Sequence, residues 1–306
     1  MAKDSFLFYI GDEEKRYRIR LDPSRYTEKY KDGKKYYYDK VTKTIIPEDV
    51  FKIMFDELIT QPIKKPNITF DELYTILLQV RERIRKTLYQ GFELDEAIMP
   101  SEDFLKDNIN KNMRMIILYV DIVGSTKLSQ TLSPDKLATL IKIFAQEMSY
   151  LVSAYNGYIL KYAGDSVIAF FPIQSDPSSI ARDAVNCARS MVNIVRYAIN
   201  PVITQHDYPE IQIKIGMDLG ENQIVSIGKN LDIIGYTMSI AAKIVEFAKA
   251  WRIIIGKWVY DALDDDMKRL FKKAKISKNL WNYRDSKEGK YYPLYILEKR
   301  IVARRL

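Results

Sequence analysis

The order of apolar runs after Met115 constrains the fold of this 306-residue chain more than any other feature. Residues 115–120 form an uninterrupted apolar run, which is typical of a buried strand. Ser133 and Pro134 then favour the start of a helix, whose apolar face runs over residues 137–151. Further runs alternate between strand and helix, at residues 158–162, 167–171, 178–198, 211–217, 223–227, 236–250 and 252–255. This order predicts an α/β fold, specifically an α+β mixed sheet with helices packed on it.

The first 92 residues have a different pattern and predict a separate small domain. Charged and aromatic residues alternate there, and a Lys-Asp-Gly turn at residues 31–33 separates two strand-like runs. Apolar residues at helical spacing predict a helix over residues 69–90, with Thr69 or Asn67 as its N-cap. We expect an N-terminal α+β domain over residues 1–92, with a regulatory or dimerising role left open, and its tyrosines mainly in its core.

A linker and a larger C-terminal domain complete the expected organisation. Residues 93–112 lack clear periodicity and include a proline, so we interpret them as a linker. The larger domain would then occupy residues 113–306. No stretch approaches the roughly 18 apolar residues of a membrane-spanning helix, and the apolar stretch after the N-terminus is too short for a secretory signal. We therefore expect no membrane association.

The scarcity of cysteine and histidine limits the possible chemistry. The chain has one cysteine, Cys187, and one histidine, His206. A zinc site built from these residue types and an internal disulfide are both excluded, and a cytoplasmic location is favoured. His206 lies in a polar stretch and is a poor candidate for a nucleophilic pair. An enzyme of this composition would rely on carboxylates, lysines, backbone amides and hard metal ions.

The net charge of +8 is concentrated towards the C-terminus. From Gly256 onwards there are 14 lysines and arginines against 7 acidic residues. A basic tail is compatible with nucleic-acid binding, but the lysines and arginines are not interleaved with a recognisable binding motif. A solvated surface is the simpler interpretation, so nucleic acid is not an expected partner.

Two short motifs place carboxylates at the ends of predicted strands. Residues 121–126 read Asp-Ile-Val-Gly-Ser-Thr, a small-residue turn whose backbone N–H groups can hold phosphate. Residues 161–165 read Lys-Tyr-Ala-Gly-Asp, at a strand–turn–strand. A βαββ unit would bring Asp121 and Asp165 side by side, where two carboxylates repel each other unless divalent cations bridge them. Each motif alone has an ordinary interpretation as a helix cap or a hairpin turn.

A third group of residues is rich in glycine. Residues 216–220 read Gly-Met-Asp-Leu-Gly, Gly228 follows, and residues 232–237 read Asp-Ile-Ile-Gly-Tyr-Thr. Glycines commonly mark hairpins, and we expect a turn at Gly220 between the strands at 211–217 and 223–227.

Taken together and in this order, these motifs resemble the catalytic domain of the class III nucleotide cyclases, the adenylate and guanylate cyclase family. The resemblance covers about residues 113–297. It implies a ferredoxin-like mixed-sheet catalytic domain behind the small N-terminal domain.

The resemblance also implies roles for individual residues. Asp121 and Asp165, together with Ile122, would bind two Mg²⁺ or Mn²⁺ ions. Lys161 and Asp232 would read the base, as the adenine-reading pair usual in the family. The family implies a head-to-tail homodimer, with the metal-binding and base-reading groups of one site on different chains. The remaining contacts to the nucleoside triphosphate would come from two turns, the one after the first strand and the one between the next two strands. Their residues are Ile122, Val123, Gly124, Ser125, Thr126 and Gly164.

The chain departs from the family pattern in the helix that follows. An asparagine and an arginine four residues apart are usual there, and this sequence has Ser239 and Lys243. The spacing keeps both on one helix face, so we retain them as catalytic candidates. A lysine lacks the bidentate fork of arginine, which predicts reduced activity, an unusual substrate or a compensating residue. Glu221 and Tyr236 also differ from common family residues, and Lys287 or Lys290 are candidates to add phosphate charge.

The favoured activity is conversion of ATP to 3′,5′-cyclic AMP and pyrophosphate. A pyrimidine nucleotide cyclase of bacterial anti-phage defence, forming cyclic UMP or cyclic CMP, is the first alternative. A catalytically weak, nucleotide-binding signalling module is the second. Intact Asp121 and Asp165 argue against the second alternative, whereas Tyr236, Ser239 and Lys243 leave the base open.

Overall fold

A computed structural model describes ten stretches of the chain, namely residues 7–11, 16–20, 26–31, 33–40, 44–48, 70–90, 99–228, 230–277, 280–285 and 289–298. The chain divides into two compact units. One unit comprises Met1–Leu78 with Arg300–Leu306, and the other comprises Gln79–Lys299.

The first unit contains two small antiparallel sheets. The strands β1 (Leu7–Gly11) and β2 (Arg16–Arg20) pair in one, and β3 (Tyr26–Lys31), β4 (Lys34–Asp39) and β5 (Thr44–Pro47) pair in the other. Gly33 has a positive φ of 71° between β3 and β4, which confirms the predicted turn.

The tyrosines of the three-stranded sheet differ in burial. Tyr26 and Tyr37 are buried, as expected for core tyrosines, whereas Tyr30 is 70% exposed. The boundary between the units falls within helix α1 (Phe70–Gln90). The N-cap candidates Asn67 and Thr69 lie outside the described residues.

The second unit is built around one eight-stranded sheet. Its strands follow the order β12-β13-β11-β9-β6-β8-β7, with β10 paired to β9. The strands are β6 (Asn112–Ile122), β7 (Tyr158–Ala163), β8 (Ser166–Pro172), β9 (Ile213–Ile227), β10 (Asn230–Ile234), β11 (Ile253–Gly256), β12 (Phe271–Lys273) and β13 (Leu294–Leu297). The β9–β11 pairing is parallel and the other pairings are antiparallel, which confirms the predicted mixed sheet.

The helices of this unit cover both faces of the sheet. They are α2 (Met99–Asp107), α3 (Ser125–Thr131), α4 (Pro134–Ala154), α5 (Pro177–Ile194), α6 (Asn200–Ile203), α7 (Tyr236–Phe247), α8 (Lys257–Ala262) and α9 (Asp265–Lys268). A five-residue π-helix, Val195–Ile199, joins α5 to α6, and a 3₁₀ turn, Thr204–His206, follows α6.

Burial shows how the helices cover the sheet. Leu105 of α2 and Ala241 of α7 pack with Met115 and Ile117 on one face, while α4 and α5 contact β8. Ser133 caps α4 by accepting from the Lys136 N–H at 3.4 Å, as predicted.

The interpretation of Gly220 as a turn was wrong. Residues 213–227 form one continuous 15-residue strand, and the reversal comes at Gly228, before β10. Gly220 serves close packing instead, because a Cβ atom there would lie 2.1 Å from Thr237 Oγ1. A Cβ atom at Gly216 would lie 2.4 Å from the backbone nitrogen of Val245. The two glycines therefore allow α7 to lie directly on β9.

Part of the segment interpreted as a linker is helical. Residues 99–107 form α2, in which Leu105 and Ser101 are buried. The Ser101 hydroxyl accepts the backbone N–H of Ile159 at 3.0 Å, so α2 is tied to β7. This short helix offers few apolar positions, which explains why periodicity did not indicate it.

Among the described helices, none is both long and apolar enough to span a bilayer.

Candidate active site

Asp121 lies at the end of β6, between two neighbouring strands. The register places it opposite Ser166 of β8 on one side and Lys214 of β9 on the other. The Ser166 hydroxyl donates to Asp121 Oδ1 at 2.6 Å, and Lys214 Nζ lies 3.2 Å from Asp121 Oδ2. Both carboxylate oxygens are therefore held by strand neighbours, which fixes the direction of the side chain.

Asp165 occupies the turn between β7 and β8, where Gly164 has a positive φ of 64°. Its carboxyl group lies near Ser125 and near the Asp121 carboxyl group, and both neighbours influence its pKa. Burial raises the pKa of Asp165, Ser125 opposes this increase, and the Asp121 charge raises the pKa further. The structure therefore brings Asp121 and Asp165 close enough for their charges to interact, as the spacing of the two motifs predicts.

The turn after β6 presents backbone groups beside these carboxylates. Gly124 has a φ of 72° and precedes Ser125, the first residue of α3. The N–H groups that open a helix lack intrahelical acceptors, and those of Ser125 and Thr126 are therefore candidate phosphate donors. The Val123 N–H already donates to the Gln212 carbonyl at 2.8 Å. A phosphate contact at Val123 would require that hydrogen bond to break.

Lys161 and Asp232 form a second group. Lys161 Nζ lies 2.6 Å from Asp232 Oδ2, and Asp232 Oδ1 accepts the N–H of Ile233 at 2.8 Å. The two side chains are 44% and 26% exposed, so solvent or a ligand has access to both. One chain thus places a donor and an acceptor next to each other, as required of a base-reading pair.

Sequence reasoning missed two neighbours of these groups, Lys214 and Tyr119. Lys214 is the cation on Asp121. Tyr119 is half-buried on β6, and burial and the Asp232 charge raise the pKa of its phenol. Neither residue belongs to a recognisable motif. Only the strand register would have placed Lys214 opposite Asp121, and that register was not available from the sequence.

Ser239 and Lys243 lie exposed on α7. Lys243 Nζ pairs with Glu246 Oε2 of the same helix at 2.7 Å, and this hydrogen bond and charge raise the pKa of the Lys243 ammonium group. The structure therefore engages Lys243 with its own helix.

Three further residues noted from the sequence make no contact with Asp121 or Asp165 that the structure describes. Glu221 is exposed on β9. The Tyr236 hydroxyl donates to the Arg284 carbonyl at 2.5 Å. Lys287 lies outside the described residues.

The carboxylates of Asp121 and Asp165 fit a hard divalent cation. Mg²⁺ usually takes one or two carboxylates and completes its shell with water and substrate phosphates. Across the stretches that the structure describes, no cluster of three or more His, Cys, Asp or Glu side chains suits a metal ion. A metal here would thus depend on the two carboxylates, a backbone oxygen such as that of Ile122, and the bound substrate.

Comparison with known proteins places these residues in a family context. The family described as "Adenylate and Guanylate cyclase catalytic domain" matches residues 108–283. The chain is 27% identical to a cytidylate cyclase of Escherichia coli, over 51% of this chain and 36% of that protein. It is 28% identical to a uridylate cyclase of Burkholderia cepacia, over 62% of this chain and 85% of that protein.

A solved structure supports the fold assignment. The adenylyl cyclase CyaB from P. aeruginosa has a TM-score of 0.52 with this chain at 21% identity, covering 61% of this chain and 95% of CyaB. The family match extends over more than half of the chain and contains Asp121, Asp165, Lys161 and Asp232. The chain belongs to the class III nucleotide cyclases, the adenylate and guanylate cyclase catalytic-domain family.

Proposed function

We propose that this chain converts a nucleoside triphosphate into a 3′,5′-cyclic nucleotide and pyrophosphate, with ATP as the first candidate substrate. The observation that carries the proposal is the proximity of the Asp121 and Asp165 carboxyl groups at the strand ends. Two neighbouring carboxylates repel each other. Lys214 neutralises part of this charge at Asp121, and the divalent cations that accompany the phosphates of a nucleotide would neutralise the rest.

Two Mg²⁺ or Mn²⁺ ions would be held by Asp121, Asp165 and the backbone of Ile122. Bound metal ions of this kind lower the pKa of an attacking hydroxyl and neutralise phosphate charge. The chain's own residues orient this site: Ser166 and Lys214 hold Asp121, and Ser125 lies beside Asp165.

In the proposed reaction, the ribose 3′-oxygen attacks the α-phosphorus, its proton is lost, and the bond to the β-phosphate oxygen breaks to release pyrophosphate. Nucleophile and phosphorus belong to one molecule, so positioning and charge supply most of the rate enhancement. The backbone N–H groups of Ser125 and Thr126, together with Gly164, would hold the phosphates. Lys214, a cation beside Asp121, would add positive charge there. Ser239 and Lys243 remain candidates for contacts to the phosphate under attack.

The base would be read by Lys161 and Asp232. Lysine donates to a ring nitrogen and a carboxylate accepts from an exocyclic amine, which suits N1 and the N6 amine of adenine. Cytosine presents the same pattern with N3 and its N4 amine, whereas guanine and uracil present a carbonyl at the amine position. The pair thus favours ATP or CTP over GTP and UTP.

CTP is the second candidate substrate. The similarity to a protein named cytidylate cyclase supports it specifically, because the Lys161–Asp232 pair fits cytosine as well as adenine. UTP, the substrate class suggested by the uridylate cyclase relative, would require Lys161 or Asp232 to act differently.

The proposed catalytic assembly is a head-to-tail homodimer. Within one chain, Asp121 lies near Asp165 while Lys161 contacts Asp232. Two-fold symmetry can combine the metal-binding group of one chain with the base-reading group of the other. We also propose a two-domain layout, in which an N-terminal domain precedes the catalytic domain and α2 belongs to the catalytic domain, and a cytoplasmic location.

Incubating the full chain with ATP, CTP, GTP or UTP and Mg²⁺ or Mn²⁺ tests the proposal, with products identified by mass spectrometry. Cyclic AMP or cyclic CMP is the expected product. Asp232→Asn should reduce the preference for the amine-bearing bases, and Asp103→Asn, at an exposed carboxylate of α2, should preserve it. Absence of any cyclic product would favour the silent nucleotide-binding module instead.

A further inference from the structure

We propose that Tyr162 is a positioning residue for Lys161, acting through the hydrogen bond between its hydroxyl and Ser149 of α4. This inference rests on the proposed base-reading role of Lys161. The two side chains belong to adjacent residues at the end of β7, yet they engage different parts of the unit. Lys161 contacts Asp232, and the Tyr162 hydroxyl contacts the Ser149 hydroxyl at 2.8 Å.

A β-bulge interrupts β7 just before Lys161 and Tyr162. Ile159 lies opposite Ala169, and Lys161 lies opposite Ile168, so Leu160 is an extra residue in β7. An extra residue reverses the direction in which the following side chains point.

The reversal determines which side chain reaches which face. Residues directly opposite each other in an antiparallel pair have their side chains on the same face. Ile168 is part of the core cluster that also contains Phe170, so Lys161 emerges on that face. Tyr162, opposite Val167, emerges on the other face. Without the bulge, Lys161 would lie opposite Val167 and would point away from its present position.

The Tyr162–Ser149 hydrogen bond connects this end of the strand to a well-buried helix. Ser149 is 4% exposed, and its hydroxyl also contacts the Ala145 carbonyl at 2.7 Å. The neighbouring α4 residues Phe144 and Met148 are fully buried. By contrast, the tip of β7 is exposed from Lys161 to Gly164. The Tyr162 hydroxyl thus provides a fixed point for an otherwise solvent-exposed strand end.

Holding Tyr162 on the α4 face limits the rotation of β7 beyond the bulge, which keeps Lys161 on the opposite face. Loss of one such hydrogen bond should weaken binding of the base by roughly 3- to 10-fold. Contacts to the phosphates would be unaffected, so the loss should appear mainly in KM and in base preference, with little change in kcat.

The test uses the full chain and two nucleotides that cannot cyclise, 3′-deoxy-ATP and 3′-deoxy-CTP with Mg²⁺. Their dissociation constants are measured by calorimetry for the wild type, Tyr162→Phe, Ser149→Ala and the double variant. Lys161→Ala serves as the reference for loss of base reading. Tyr155→Phe is the matched control, because the hydroxyl of Tyr155, directly after α4, contacts Ser190 of α5 at the same 2.8 Å.

The expected result is similar weakening in Tyr162→Phe and Ser149→Ala, no further weakening in the double variant, and an unchanged constant in Tyr155→Phe. Additive effects of the two single variants, or equal weakening in Tyr155→Phe, would overturn the inference, since both outcomes indicate general destabilisation. Wild-type binding in Tyr162→Phe would also overturn it.

Failure of the base-reading proposal gives a different pattern. If Lys161→Ala binds both nucleotides as the wild type does, the base-reading role is wrong and the inference falls with it. If Lys161→Ala weakens binding and Tyr162→Phe does not, only the positioning role is wrong.

Discussion

The carboxyl groups of Asp121 and Asp165 lie close enough for their charges to interact, although the two residues are 44 positions apart in sequence. They are close because Asp121 lies at the end of β6, Ser166 lies opposite it in β8, and Asp165 immediately precedes Ser166. Every proposal about phosphate chemistry in this chain depends on that proximity.

Replacing Asp121 or Asp165 with alanine should abolish cyclisation. Each variant loses a charged ligand for the cation and its phosphates, so we expect a decrease of at least about 10²–10³-fold in kcat/KM. Product formation is measured by mass spectrometry, and circular dichroism verifies the fold. Asp266→Ala, at an 87% exposed carboxylate, is the control and should retain activity. Substantial turnover in either site variant would refute the metal assignment.

Metal binding should weaken as the pH decreases. The pKa of Asp165 is raised by burial and by Asp121, so Asp165 takes up a proton at a higher pH than an ordinary aspartate. A protonated carboxyl group is a poor metal ligand. Titration of the nucleotide-free chain with Mn²⁺ should give dissociation constants that fall from pH 5.5 to pH 8. A pH-independent dissociation constant would contradict protonation of Asp165 in this range, and Asp165→Asn should show a much flatter dependence on pH.

Complementary variants should restore one active site in a mixed dimer. In a head-to-tail dimer of Asp121→Ala and Asp232→Ala chains, one site carries both defects and the other carries neither. Co-expression with two affinity tags isolates this heterodimer, which should show about half of the wild-type turnover. The heterodimer of Asp121→Ala with Asp165→Ala has a damaged metal group in both sites and should stay inactive. Equal activity of the two heterodimers would argue against shared sites.

Asp218 should make folding less favourable as the pH increases. This carboxyl group is buried behind Gly256 and accepts the Tyr292 hydroxyl. Burial raises its pKa to about 7, above the value of about 3.9 expected in an unfolded chain. The stability associated with the neutral form is complete below the unfolded value and is lost as the pH increases through about 7.

Asp218→Asn should therefore increase the melting temperature at pH 8 and change it little near pH 4. Asp264→Asn provides a control of opposite sign. Asp264 caps α9 through the Met267 N–H and pairs with Arg182, so its pKa is lowered despite burial. Its carboxylate stabilises the fold at pH values above the pKa that Asp264 has in the unfolded chain. Asp264→Asn should therefore have a lower melting temperature than the wild type at pH 7. A lower melting temperature for Asp218→Asn than for the wild type at pH 8 would contradict this prediction, because it would show that the charged Asp218 carboxylate stabilises the fold.

Replacing only one partner of the ion pair between Arg83 of α1 and Glu147 of α4 should destabilise the fold strongly. Arg83 Nη2 lies 2.7 Å from Glu147 Oε2, and the Glu147 side chain is 2% exposed. Arg83→Met leaves a buried carboxylate without this partner and should lower the free energy of unfolding by about 3–5 kcal/mol, whereas Arg83→Met with Glu147→Met should recover most of it. Urea denaturation measures both. Lys106→Met, in an exposed pair with Glu102, should change stability by less than about 1 kcal/mol.

Local signals in the sequence were sufficient for most elements of the second unit. Ser133 marks the start of α4, and the apolar run before Asp121 marks β6, because both signals depend on neighbouring residues only. The proximity of Asp121 and Asp165 followed from the βαββ order. These features are determined by periodicity and connectivity.

Features that depend on strand register could not be predicted in the same way. Lys214 meets Asp121 only because β9 pairs with β6 in one particular alignment. The bulge at Leu160 has no distinctive residue, since a leucine is equally common in a regular strand. Gly220 was misassigned because a glycine that permits close helix packing and a glycine that permits a turn look identical in sequence.

The extra residue at Leu160 also determines how this strand can change during evolution or engineering. Deleting Leu160 would restore regular pairing and would leave Lys161 opposite Ile168 and Tyr162 opposite Val167, so both side chains would keep their faces. If Leu160 instead paired with Ile168, Lys161 would move opposite Val167 and would emerge on the face that Tyr162 now occupies. The spacing from Lys161 to the turn at Gly164 is thus itself a determinant of the site, and sequences of this family are comparable at the lysine position only where that spacing is preserved.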